Sequence, residues 1–152
     1  MSTTAVSLSA TYSQADTAAS SVFSWGRYAR TGLLAIGASV AANAVFFYAA
    51  QVAVQYDPAF LPLGNVSAPI IFTVFPAVFA TLLYAGLLQF VKRQAALVFT
   101  VISAITFVVT LIPDLTYIPT VDGVSNGEIG VLVVMHAIAA AVITRGLTSV
   151  RR

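Results

Sequence analysis

Apolar residues in this chain come in long runs that polar residues barely interrupt. Four stretches carry no Asp, Glu, Lys or Arg: Thr31–Tyr56, Pro58–Val91, Gln94–Pro113 and Ile129–Thr144. A helix needs about 20 mostly apolar residues to cross the ~30 Å hydrocarbon core of a bilayer. The first and third stretches fit one helix each. The second opens with Pro58, Pro62, Gly64 and Asn65, a concentration of turn formers that reads as loop. The fourth is long enough if it begins near Glu128. Runs such as Ala95–Ile102 lack the alternating polarity of a barrel strand, and a helix satisfies its own backbone hydrogen bonds inside lipid. The predicted fold is therefore all-α, a bundle of four transmembrane helices at about 31–54, 68–91, 95–112 and 128–147.

Charge adds an orientation. All seven basic residues fall at Arg27 and Arg30, at the Lys92-Arg93 link between the second and third helices, and at Arg145, Arg151 and Arg152. Four crossings place every one of them on a single face. Asp57, Asp114, Asp122 and Glu128 occupy the other face, leaving Asp16 in the N-terminal tail as the exception. This positive-inside pattern predicts cytoplasmic N and C termini in a multi-pass protein of the plasma membrane. Residues 1–26, rich in Ser, Thr and Ala and without Lys or Arg, lack the charged start of a signal peptide. They are expected to form a disordered cytoplasmic tail, with Trp25 and Tyr28 as interfacial anchors.

Composition narrows the chemistry. Hydrophobic residues make up 59% of the chain and charged residues 8%, against about 45–50% and 25% in soluble domains. The net charge of +2 forms no basic stripe interleaved with aromatics, so nucleic-acid binding is not expected. Cysteine is absent, which removes disulfides, thiolate metal sites and a Cys nucleophile. No phosphate-cradling loop or metalloprotease motif occurs, and no cofactor or metal is implied.

Within the helices, small residues recur every fourth position. Ala35 and Ser39, followed by Asn43, form one stripe on the first helix, with Gly37 and Ala41 beside it. His136, Ala140 and Thr144 form another on the fourth, next to Ala137 and Ala141. Such spacing lets helix backbones approach closely in lipid. The expected outcome is packing of the first helix on the fourth, with a homodimer interface as the alternative. Asn43 and His136 are the candidate intramembrane polar contacts, because polar groups at that depth face the bundle interior. A structural hydrogen bond, between these helices or to a backbone carbonyl, is the first reading of the pair. Proton relay or ligand binding is the second, weakened because no acid is expected within the membrane. Pro76 should kink the second helix, and Pro113 should stop the third.

The pair Asn43-Ala44 with Tyr48 a turn later, the ending Leu111-Ile112-Pro113 and the Met135-His136 pair before an Ala-rich run and Arg145 resemble an uncharacterised bacterial membrane-protein family, domain of unknown function 6069. The similarity covers roughly residues 31–147. It implies a four-helix membrane fold and no activity, and it singles out Asn43, Pro113 and His136. The function expected on these grounds is an accessory or structural membrane subunit that works through helix packing and outer-loop contacts. Its partners would be the lipid bilayer and another membrane protein or a second copy. A small-molecule or ion transporter built as an oligomer is the alternative, and an enzyme using His136 as base is the least expected.

Overall fold

The computed structural model describes residues 24–149. It contains four long helices, α1 (Trp25–Ala50), α2 (Ser67–Phe90), α3 (Ala95–Thr116) and α4 (Asn126–Thr148), with short 3₁₀ turns at Lys92–Gln94 and Ile118–Thr120. All four are long and apolar enough to cross a membrane, and no strand occurs among the described residues. The predicted all-α fold is therefore present. Residues 1–23 and the terminal Arg151 and Arg152 lie outside the described residues.

Burial shows why lipid is the solvent. Only 11–28% of each apolar helix window is buried within the chain. Leu33, Leu34, Phe75, Phe79, Leu82, Leu97 and Val108 all lie exposed on the outer surface, an apolar area that water would not tolerate. α1 packs against both α2 and α4, while α3 packs against α4 and more loosely against α2. One core cluster gathers Tyr28, Tyr84, Phe99 and Leu147 toward the Lys92–Gln94 end of the bundle. A second gathers Phe47, Phe60, Leu63 and Met135 toward the acid-bearing end.

Three helix boundaries depart from expectation. α1 begins at Trp25 rather than near residue 31. Ser24 caps it by accepting from the Arg27 N–H at 3.4 Å, while the Tyr28 hydroxyl donates to the Thr81 carbonyl of α2. Arg27 and Arg30 end the apolar run but not the helix, because charge disfavours hydrocarbon and not helical geometry. Trp25 and Gly26, assigned to the tail, consequently belong to the helix. At its other end α1 stops at Ala50 instead of continuing to 54, and the chain tightens through i→i−3 bonds from Val52 and Ala53.

The third departure matters most. Pro113 does not stop α3, which continues through it to Thr116. Proline within a helix forfeits the bond its N–H would give to residue i−4. Three residues before the helix end, that loss touches only the Val109 carbonyl, and the Tyr117 N–H still closes on the Pro113 carbonyl at 2.9 Å. Pro76 likewise sits inside α2. The extra turn of α3 places Asp114 on the helix instead of in the outer loop.

Candidate functional site

The loops at the acid-bearing end are tied down by one carboxylate. Glu128, 1% exposed, forms a capping box with Ser125 at the start of α4. Its Oε2 accepts from the Ser125 N–H at 2.9 Å and from the Ser125 hydroxyl at 3.0 Å. Its Oε1 reaches the other loop and accepts from the Asp57 N–H at 2.9 Å. Beside it, Tyr56 donates to the Phe47 carbonyl at 2.9 Å. Partial burial, with the Glu128 charge nearby, pushes the Tyr56 hydroxyl above its ordinary pKa. Gly123, at φ +83°, allows the second loop to pass Asp57, since only glycine takes that conformation without strain. Phe60 and Leu63 are buried plugs, which makes the first loop a lid on the core more than a free binding surface.

Below these loops each intramembrane polar residue has its own partner, Asn43 on α2 and His136 at a backbone carbonyl. Asn43 donates from Nδ2 to Thr73 Oγ1 on α2 at 2.8 Å and does not meet His136. Because α1 starts early and stops early, Asn43 lies two turns from the acid-bearing end rather than midway. Thr73, near the start of α2, shares that level. His136 turns toward α3. Its Nδ1 lies 2.9 Å from the Leu132 carbonyl oxygen, one turn back on α4, and 3.1 Å from Asp114 Oδ2. Asp114 Oδ2 is buried and lies off the line of a formed hydrogen bond, so it has no hydrogen-bond partner. The proximity is electrostatic. The Leu132 carbonyl can only accept, so Nδ1 carries the hydrogen that points to it, and in the uncharged ring Nε2 is then an acceptor. The expectation that this histidine had no acid near it was wrong, and it failed because Pro113 does not end α3.

The stripe His136, Ala140 and Thr144 also faces elsewhere than expected. These residues line a cleft of about 660 Å³ shared with α2 and α3. The α1–α4 contact runs instead through Gly146, where a Cβ would come within 2.7 Å of Ala35 Cβ, and through Phe47 against Met135. Ala35 and Ser39 are buried as predicted, but Gly37 and Ala41 are exposed. Five phenylalanines, Phe72, Phe75, Phe79, Phe99 and Phe107, wall the cleft together with Pro76. Small side chains at Ala77, Ala80, Ser103 and Ala139 leave the space open. Phe72, Phe75 and Phe79 are more than half exposed, so the mouth opens sideways between α2 and α3.

The threonines of the cleft differ from the chain's other helical threonines, although Ser39 on α1 also has a hydroxyl without a partner. In a membrane helix a Ser or Thr hydroxyl usually donates to a carbonyl one turn back. Thr31, Thr81, Thr100, Thr116 and Thr148 do so, at 2.6–3.0 Å. Among the cleft residues only Thr110 does, reaching the Phe107 carbonyl at 2.8 Å. Thr73 accepts from Asn43 and gives its proton to no protein group, and the hydroxyls of Ser103, Thr106 and Thr144 have no hydrogen-bond partner. Among the described residues no three His, Asp or Glu side chains converge as metal ligands would.

The Asn43–Thr73 bond provides a direct check on packing energetics. Interhelical hydrogen bonds in membranes average about 0.6 kcal/mol in double-mutant cycles. A cycle of Asn43→Ala and Thr73→Val, followed by denaturant unfolding in mixed micelles, should return a coupling of that order.

The model of a family of unknown function, DUF6069, matches residues 23–152. The chain belongs to that family. No curated protein and no solved structure matches it. The DUF6069 match spans all four helices and both loops, so the cleft, the Asp114–His136 pair and the Glu128 clamp all fall within the family's domain. The family's description carries no activity, and what the site does must be argued from its geometry.

Proposed function

We propose that the protein takes a small, mostly apolar molecule out of the bilayer and holds it in the cleft between α2, α3 and α4, acting as a membrane binder or carrier and not as a catalyst. The observation that carries this reading is the cleft itself. At about 660 Å³ it has the size of a small-molecule site. Its walls are aromatic, its mouth opens toward lipid, and a few polar groups converge at its acid-bearing end. Apolar walls supply affinity for a hydrophobic body, while His136 and the uncommitted hydroxyls fix its orientation.

Native mass spectrometry of protein released from its own membranes tests this. A bound small molecule is expected on the unaltered chain and is expected to be lost from Ala140→Phe, which fills the cleft. No retained molecule on either protein, with both folded, would overturn the reading.

A second reading is the accessory subunit expected from the sequence. One observation favours it: α3 buries only Ala95, Phe99 and Asp114, and another membrane protein or a second copy could cover the remaining apolar face. For orientation, the distribution of Lys and Arg supports N and C termini in the cytoplasm, and the resemblance noted in the sequence is what suggests a bacterial plasma membrane. Reporter fusions after Lys92 and after Arg152 should report the same cytoplasmic side.

A further inference from the structure

We infer that the ligand of the cleft bears a hydroxyl group, which donates its hydrogen to Nε2 of His136. The inference rests on the binding role proposed above and names the chemistry of the molecule bound. Three observations lead to it.

The first is the tautomer. With the Leu132 carbonyl at 2.9 Å from Nδ1, the ring hydrogen is held on that nitrogen. Nε2 is then a lone-pair acceptor on a side chain that lines the cleft. A neutral imidazole so oriented recognises a donor and repels a second acceptor.

The second observation is what else lines the cleft. The hydroxyls of Ser103, Thr106 and Thr144 meet no protein partner, and that of Thr73 accepts from Asn43 but gives its hydrogen to no protein group. Ser103, Thr106 and Thr144 are half-buried or exposed at the cleft, whereas the same chain satisfies its other helical threonines through the backbone. The cleft hydroxyls can donate to the oxygen of a bound molecule. An alcohol or phenol fits both needs, because its hydrogen goes to Nε2 and its oxygen lone pairs accept from a hydroxyl. A ketone, ether or ester supplies only the second.

The third observation is the absence of a formal charge facing the cleft. Among the described residues, Asp114 is the only acid on the three helices that line it apart from Glu128. Asp114 Oδ2 is sealed behind the histidine, and Glu128 is committed to the loops. An ionic head group would find no counter-charge. An uncharged hydroxyl needs none.

The test uses two probes that differ only at the hydroxyl: 4-dodecylphenol and its methyl ether, 4-dodecylanisole. Each is titrated calorimetrically into the full-length protein in phosphatidylcholine nanodiscs, with empty nanodiscs as the blank for partitioning. The phenol is expected to bind on the order of tenfold more tightly than the ether, the value of one good hydrogen bond in a desolvated site. In His136→Phe, which keeps the aromatic volume but has no acceptor, the ratio of phenol to ether affinity should fall to about one. Equal binding of both probes to the unaltered protein would overturn the hydroxyl assignment and leave the cleft reading standing. A phenol preference that survives in His136→Phe would overturn the role of the histidine. No saturable binding of either probe would overturn the inference and the proposed function together. The comparison of probes on the unaltered chain decides the matter even if the variant does not fold.

Discussion

Glu128→Ala is expected to cost roughly 2–4 kcal/mol of stability, the largest loss for any single polar side chain outside the helix interfaces. The estimate adds an N-cap box, about 1 kcal/mol, to the penalty for leaving buried donors without an acceptor, about 1–3 kcal/mol. Two N–H groups and one hydroxyl lose their acceptor together, because Asp57 and Ser125 share the one carboxylate. Glu128→Gln should recover part of the loss, since its amide oxygen keeps one acceptor while its NH₂ cannot replace the other. Equilibrium unfolding in mixed micelles measures both. Limited proteolysis should place the first cleavage between Asp57 and Asn65 in the Ala variant, because the first loop is then held only by Phe60, Leu63 and the Tyr56 bond. A loss below about 0.5 kcal/mol with unchanged cleavage would show that the carboxylate is not the tie between the loops.

Gly146→Leu is expected to be comparably damaging for a different reason. A single Cβ at this position already comes within 2.7 Å of the Ala35 Cβ, and neither atom can rotate away. α1 and α4 must separate, and over-packing of this kind costs about 1–3 kcal/mol, occasionally more. In lipid no hydrophobic force pulls the helices back together, and contact between small residues is the main source of their association. Gly146→Ala should produce a smaller loss in the same direction. As a control, Gly37→Leu meets nothing within 4 Å of its Cβ and should leave thermal stability in detergent unchanged. Equal effects at residues 37 and 146 would mean that α1 presents a different face to α4.

How far these features could be read from residues alone follows from their physics. The helix count and type rest on composition over windows of twenty residues, a signal that survives errors at any one position. The burial of Ala35, Ser39 and Asn43 was also legible, since small and polar residues on one face of a membrane helix have to turn inward. Partners were not. Asn43 could pair with any helix beside it, and nothing in its own stretch distinguishes Thr73 from His136. Periodicity gives the face of a helix but not its neighbour, which is why the Ala140 and Thr144 stripe was assigned to α1 when it lines the cleft.

The Asp114–His136 pair was hidden by a rule applied without regard to position. Proline breaks a helix interior because it removes a bond and crowds the preceding turn, but in the last turn little remains to be broken. Asp114 follows directly and could have been placed on the same helix had the third span been allowed the length of the other three. The Ser125–Glu128 capping box, by contrast, was available in the sequence as a Ser with Glu three residues later, directly before an apolar run. What the sequence does not show is that the same carboxylate reaches across to Asp57 in the other loop.

The thin burial of α3 has a consequence for how the sequence of this protein can change over time. Most of its side chains touch only lipid tails, which accept leucine, isoleucine, valine or phenylalanine almost interchangeably. Neutral exchange among aliphatic residues should therefore accumulate fastest at positions such as Leu97, Val101, Ile105 and Val108, and slowest at Phe99 and Asp114, where a neighbouring helix dictates the shape.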